Sequence, residues 1–188
     1  MAMPLARVPT TADEIDAMPD DGNRYELIHG KLFVTPAPSI FHQRMLLVLL
    51  DRLRPYAISL GLEVFVAPTA VRSSLDTQVE PDLFVLPRMV EADESTRWVA
   101  MPRLLLAVEI LSPSTRRRDR VVKRELYLPN GVAEYWIVDS STQSIDVCTL
   151  RDAMPVSVSD MLSWQPRAER NELMIDVAAV FREVRGSA

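Results

Sequence analysis

LLLAVEILSPSTRRRDRVVKRELYLPNGVAEYWIVD, residues 104–139, is the stretch whose reading decides the fold. Leu104 to Leu111 is apolar apart from Glu109, the pattern of a central strand covered on both faces. Ser114 or Thr115 can cap a helix from about Arg116 to Leu128, and Pro129-Asn130-Gly131 stops it. Glu134 to Asp139 then reads as a second inner strand. Strand, helix and strand in that order predict an α/β domain.

Working outward, Thr69 to Arg72 and Glu63 to Ala67 are short β-type runs, and Val79 to Leu86 is a longer one bounded by Pro87. Before them, Ser39 precedes a long helical pattern in which Ile40, Leu46, Leu47, Leu50 and Leu53 form an apolar stripe; Pro55 is expected to kink its last turn and Gly61 to end it. YELIHGKLFV, Tyr25 to Val34, alternates around His29-Gly30 and predicts a hairpin. Thr10 to Met18 reads as a short capped helix. Downstream, Ile145 to Leu150 is expected at a sheet edge, Met154 to Arg170 as irregular chain with short strands, and Asp176 to Val184 as a closing helix.

At 188 residues, with 48% hydrophobic and 25% charged side chains, one folded domain spanning residues 1–188 is the expectation, its core in residues 22–150. The single cysteine, Cys148, cannot form an internal disulfide, and no Cys/His spacing suggests zinc. The N-terminus, Met1 to Pro9, lacks the pattern of a signal peptide, and the longest apolar run, Met45 to Leu50, is far below the roughly 20 residues of a membrane span. The expectation is a cytoplasmic protein with no membrane partner. A net charge of -5 argues against a protein that coats nucleic acid nonspecifically, so any contact with DNA must come from a local patch.

Three charged side chains stand where burial should exclude them: Asp82 in VEPDLFVL, Glu109 in its apolar strand, and Lys123 in the helix that follows. Two carboxylates on neighbouring strands can hold a hard divalent cation such as Mg2+, with Mn2+ as a substitute, which polarises a phosphate and acidifies water. An adjacent ammonium can orient that water or offset charge on phosphorus.

The ordered set YELIHGKL, His42-Gln43, EPDLFVL, VEILSPSTRRRDR, and Lys123 and Tyr127 followed by GVAEYWIVD resembles the PD-(D/E)XK nuclease superfamily, and within it the small bacterial restriction-endonuclease-like proteins of the Uma-two type. The resemblance runs from about Tyr25 to Asp139. It implies a restriction-endonuclease-like mixed central sheet flanked by helices, and metal-dependent hydrolysis of DNA phosphodiesters. Asp82 and Glu109 match the metal-binding acids, the carbonyl of Ile110 a further ligand, and Glu26 the early acidic residue. The lysine expected at Leu111 is absent; similar proteins supply it from the next helix, where Lys123 is the matching position.

Each residue also has a plainer reading. Asp82 could pair with an arginine, Glu109 with Arg116 or Arg120, and Lys123 could be solvated. The cluster Arg116, Arg117, Arg118, Arg120 and Arg124 opposes the helix dipole, which phosphate contact would explain, chiefly through Arg116, Arg117 and Arg120; the alternative is a solvated face neutralised by Asp119 and Glu125. His42 is read as a structural hydrogen bonder and His29 as an ordinary turn residue. The functional alternatives are a silent nucleic-acid-binding module on the same scaffold, or a nuclease acting on RNA. Cutting both strands of a duplex favours a homodimer.

Overall fold

The computed structural model describes residues 8–186; the expectation about a signal peptide falls largely on residues 1–7, outside them. A short helix, α1 (Ala12–Asp16), begins in a capping box: Thr11 accepts from the Glu14 N–H, and the Glu14 carboxylate returns to the Thr11 N–H. Strands β1 (Arg24–Ile28) and β2 (Lys31–Thr35) form the predicted hairpin, with Ile28 opposite Lys31. Its two turn residues, His29 (φ 50°) and Gly30 (φ 70°), both adopt the left-handed backbone that a right-twisted two-residue turn requires.

Helix α2 (Ile40–Ser59) starts where the Ser39 hydroxyl accepts the His42 N–H, and its buried line is Met45, Leu49, Leu53 and Ala57. The helix continues through Pro55 for a further turn before Gly61. Then follow β3 (Leu62–Val66), β4 (Ala70–Ser74), β5 (Thr77–Val79), β6 (Leu83–Pro87), β7 (Trp98–Ala100) and β8 (Leu106–Ile110). A π-helical segment, Arg118–Lys123, leads into α3 (Arg124–Tyr127), and β9 (Tyr135–Asp139), β10 (Ser144–Cys148), β11 (Val156–Val158), β12 (Met161–Trp164), β13 (Leu173–Asp176) and α4 (Val177–Arg185) complete the order.

The main sheet runs β11-β10-β9-β8-β6-β3 and is mixed: β8 and β9 are parallel, and its other pairs are antiparallel. The parallel pair needs a crossover, which the π segment and α3 supply. A second sheet runs β2-β1-β5-β4-β7, and β12 pairs with β13. This is the mixed α/β architecture expected from the sequence, with helices flanking a central sheet.

Alternation along the strands divides the core in two. Leu83, Val85, Leu106, Val108, Ile110, Trp136 and Val138 face α2 and α4; Phe84, Leu86, Ala107, Tyr135 and Ile137 face α3 and the second sheet. Burying each such aliphatic or aromatic side chain contributes about 1.5–3 kcal/mol, so the sheet is held from both sides.

Two strand expectations need correction. Val79 to Leu86 is not one strand: Glu80, Pro81 and Asp82 separate β5 from β6, so the chain passes there from the second sheet to the main one, and a proline cannot donate to a ladder. The run at Ile145 is not an edge strand, because β11 pairs outside β10 and takes the edge. Strands β7 and β13 are short and carry no strong alternation that would mark them in the sequence.

Candidate active site

The site grows from the change of sheets at Glu80-Pro81-Asp82. Leu83 lies opposite Val108 at the end of the β6–β8 ladder, and just beyond it the Asp82 carboxylate takes the Ile110 N–H, which brings Asp82 close to Glu109. Both acids are almost wholly buried. Asp82 Oδ2 accepts the Ile110 N–H (2.7 Å) and lies 3.0 Å from His42 Nε2, while Oδ1 accepts from Arg24 Nη1 at 2.7 Å. Arg24 also donates to the Glu80 carbonyl at 3.2 Å.

Glu109 is held from the crossover. Lys123 Nζ lies 2.6 Å from Glu109 Oε1 and 2.7 Å from Glu26 Oε1, and the Tyr127 hydroxyl donates to Glu109 Oε1 at 2.8 Å. Glu26 Oε1 also takes the Glu80 N–H at 2.9 Å, and Arg118 Nη2 approaches its Oε2 at 3.3 Å. Arg118 and Lys123 are five residues apart and grip the same carboxylate. The i→i+5 bonding of the π segment is what lines them up; in an α-helix they would diverge.

Five carboxylates, Glu26, Glu80, Asp82, Glu109 and Asp119, thus share three permanent cations, Arg24, Arg118 and Lys123. Burial resists charge on all five acids. At Asp82 the His42 hydrogen bond and Arg24 overcome it and hold the carboxyl well below its usual range. At Glu26, Lys123, Arg24 and Arg118 outweigh burial and lower the carboxyl's pKa. Glu109 must share its lysine with Glu26, and with Asp82 and Asp119 nearby, burial prevails and pushes it up to about 8. Glu80 rises to about 7 through burial and the nearby Glu26, and Asp119 is raised by burial against the pull of Lys123. Burial opposes charge on Lys123 too, but Glu109 and Glu26 outweigh it and carry it to about 12.

Asp82 opens onto a cleft of about 940 Å³, lined also by Arg24, His42, Gln43, Glu80 and Ile110. The structure therefore gathers Asp82, Glu109, Lys123, Glu26 and the Ile110 backbone into one place. The basic cluster is split. Arg116 forms a double hydrogen bond to Asp139 (2.6 and 3.1 Å), and Arg120 bridges Asp139 (2.7 Å) and Asp146 (2.5 Å). These partners are neither the Glu109 nor the Asp119 and Glu125 weighed from sequence. Arg118 turns inward, and Arg117 is exposed with no ion pair among the described residues. Sequence reasoning missed Arg24, Glu80 and Asp119. The period of two along β1 could have found Arg24, since it shares a strand face with Glu26.

Among the described residues no three His, Cys, Asp or Glu side chains converge in ligand geometry. The donor chemistry nevertheless fits a hard divalent cation. The oxygens are carboxylates in excess over cations, Glu26 Oε2 and Asp119 Oδ1 are buried without a hydrogen bond, and Mg2+ is commonly held by one or two carboxylates with water completing its shell.

No curated protein matches the chain. Among solved structures, one described as "a putative nuclease belonging to DUF820 from Anabaena variabilis" aligns with a TM-score of 0.73 at 18% identity, covering 94% of this chain and 99% of that one. At that identity the likeness establishes the fold. The family model described as "Putative restriction endonuclease" matches residues 12–175, most of the sequence and every residue of the buried cluster; the chain belongs to the Uma2 family.

Proposed function

We propose that the chain is a metal-dependent endonuclease that hydrolyses DNA phosphodiester bonds. The observation that carries this reading is a buried cluster with more acids than cations, in which Asp82, at the wall of an open cleft, accepts the N–H of the residue after Glu109. Asp82, Glu109 and the Ile110 carbonyl would hold Mg2+ or Mn2+. When bound, such a cation polarises the phosphate and lowers the pKa of a water to make a nucleophile near neutral pH. His42 and the Ile110 N–H fix the Asp82 carboxylate. Lys123 and Tyr127 fix Glu109 through Oε1, and Lys123, charged at neutral pH, offers a positive charge beside the attacking water and the growing charge on phosphorus. Glu26 anchors that lysine.

Family membership supports nuclease chemistry, and the neighbour described as "a putative nuclease" shares the fold. Arg117, exposed near the start of the crossover helix, is the arginine of the basic cluster best placed for phosphate; Arg116 and Arg120 could contribute only by sharing their guanidinium groups with Asp139. Two copies acting together would cut both strands, and sedimentation showing only monomer at micromolar concentration would count against that arrangement. A cytoplasmic setting suits the single buried thiol of Cys148, and no helix among the described residues is long and apolar enough to cross a membrane. Nicking of supercoiled DNA with Mg2+, with Mn2+ and after chelation tests the reading, with RNA digested in parallel. Metal-dependent nicking is expected; cutting that survives chelation, or that is confined to RNA, contradicts it.

A further inference from the structure

Asp82 is spoken for. A carboxylate offers about four lone-pair positions. Oδ2 is matched with two partners, the Ile110 N–H and His42 Nε2, and Oδ1 takes Arg24 Nη1. The position left on Oδ1 therefore lies next to a guanidinium. A divalent cation placed there would meet that like charge at a few ångströms, a repulsion many times thermal energy in a partly buried site. Arg24 and a metal cannot both keep Asp82.

Arg24 is also the group able to leave. It stands at the first position of β1, its side chain is 19% exposed, and it lines the cleft. Its hydrogen bonds run through Nη1 alone, to the Asp82 carboxylate and the Glu80 carbonyl, with Glu26 and Glu109 adding only attraction at a distance. Lys123, by contrast, is fully buried between Glu26 and Glu109 and has nowhere to go. Planar guanidinium groups pair readily with phosphate as well as carboxylate, so an anion entering the cleft would offer the released side chain a second partner.

We propose that Arg24 is an exchangeable counter-ion of the metal site: it neutralises Asp82 while no metal is bound, gives the carboxylate up to a divalent cation, and turns to a backbone phosphate of the nucleic acid in the cleft. This rests on the proposed function in taking Asp82 as a metal ligand. The exchange makes metal and nucleic acid bind cooperatively, because each favours the position of Arg24 that suits the other, and the coupling must be equal in both directions.

The test is Mn2+ binding, followed by electron paramagnetic resonance, to wild type and Arg24→Gln, with and without a short duplex carrying nuclease-resistant linkages. Arg24→Gln is expected to bind Mn2+ about tenfold tighter or more, since the competing charge is gone, and to lose most of the tightening that the duplex produces in wild type. Equal or weaker Mn2+ binding by the variant, with wild type binding normally, overturns the exchange and leaves the proposed function standing. No Mn2+ binding by folded wild type at millimolar concentration overturns both. If Arg24→Gln does not fold, wild type answers alone: the Arg24 Nε–H resonance should move as diamagnetic Mg2+ saturates the site, and a resonance unchanged at saturation overturns the exchange.

Discussion

Two charged clusters hang from the same crossover, and they are built differently. On its outer side Arg116 and Arg120 meet Asp139 and Asp146, two bases against two acids, with both guanidinium groups a third or more exposed. On its inner side Arg118 and Lys123 join Arg24 against five acids, and Lys123 has no exposure at all. The outer cluster is matched and needs nothing more. The inner one leaves Glu109 and Glu80 titrating near neutrality, the state expected of carboxylates short of a counter-charge. Similar side chains, a few residues apart, are thus settled in one place and unsettled in the other.

The largest stability difference between the two should come from removing a cation at the inner cluster. Lys123→Met strands Glu26 and crowds it against Glu109, and loss of one partner from a buried ion pair costs about 3–5 kcal/mol. Denaturant unfolding without metal measures it; a cost under about 1 kcal/mol would mean that the inner pairs are as loosely coupled as surface ones. At the outer cluster, Asp139→Asn should cost less, about 2 kcal/mol, because Arg116 and Arg120 can turn to water. It should leave Mn2+ affinity unchanged, and a tenfold loss would join the clusters functionally.

Acidity should separate them by sign. Glu109 has a pKa raised to about 8, so between its ordinary value of 4.5 and that point the folded chain holds a proton that the unfolded chain has lost, and metal-free stability falls as pH rises through this window. Over the same window metal affinity should climb, since binding must expel that proton. Asp139 is depressed by burial-resisting bonds from Arg116, Ser141 and Arg120, so its contribution is full above the ordinary carboxylate range and is lost only as pH falls below it. Thermal melts of wild type and of Glu109→Gln from pH 5 to pH 8.5 should show the downward slope flatten in the variant; an identical slope would remove Glu109 as its source.

What the sequence discloses follows the range of the interactions. Strand, helix and strand over residues 104–139 are legible because apolar runs and the Pro129-Asn130-Gly131 stop are local. Asp82 and Glu109 are legible because a charge in an apolar run is conspicuous. Their partners are not, since Arg24 reaches Asp82 across 58 residues and no local pattern marks the meeting. The arginines look like one patch because they are adjacent in sequence; the π segment turns Arg118 and Lys123 inward together and leaves Arg116 and Arg120 to Asp139. The break at Glu80-Pro81-Asp82 was hidden inside a run that looks like a single strand, although its proline was the available signal.

The smallest expected change in stability belongs to the most decisive substitution. Glu109→Gln keeps the shape and removes a charge that the metal-free protein already resists at neutral pH, so melting without metal should be unchanged or slightly higher. The same variant lacks an anionic ligand, and its metal-dependent nicking of supercoiled DNA should fall by at least about a hundredfold. A variant that melts well below wild type yet nicks DNA at the wild-type rate would contradict the account.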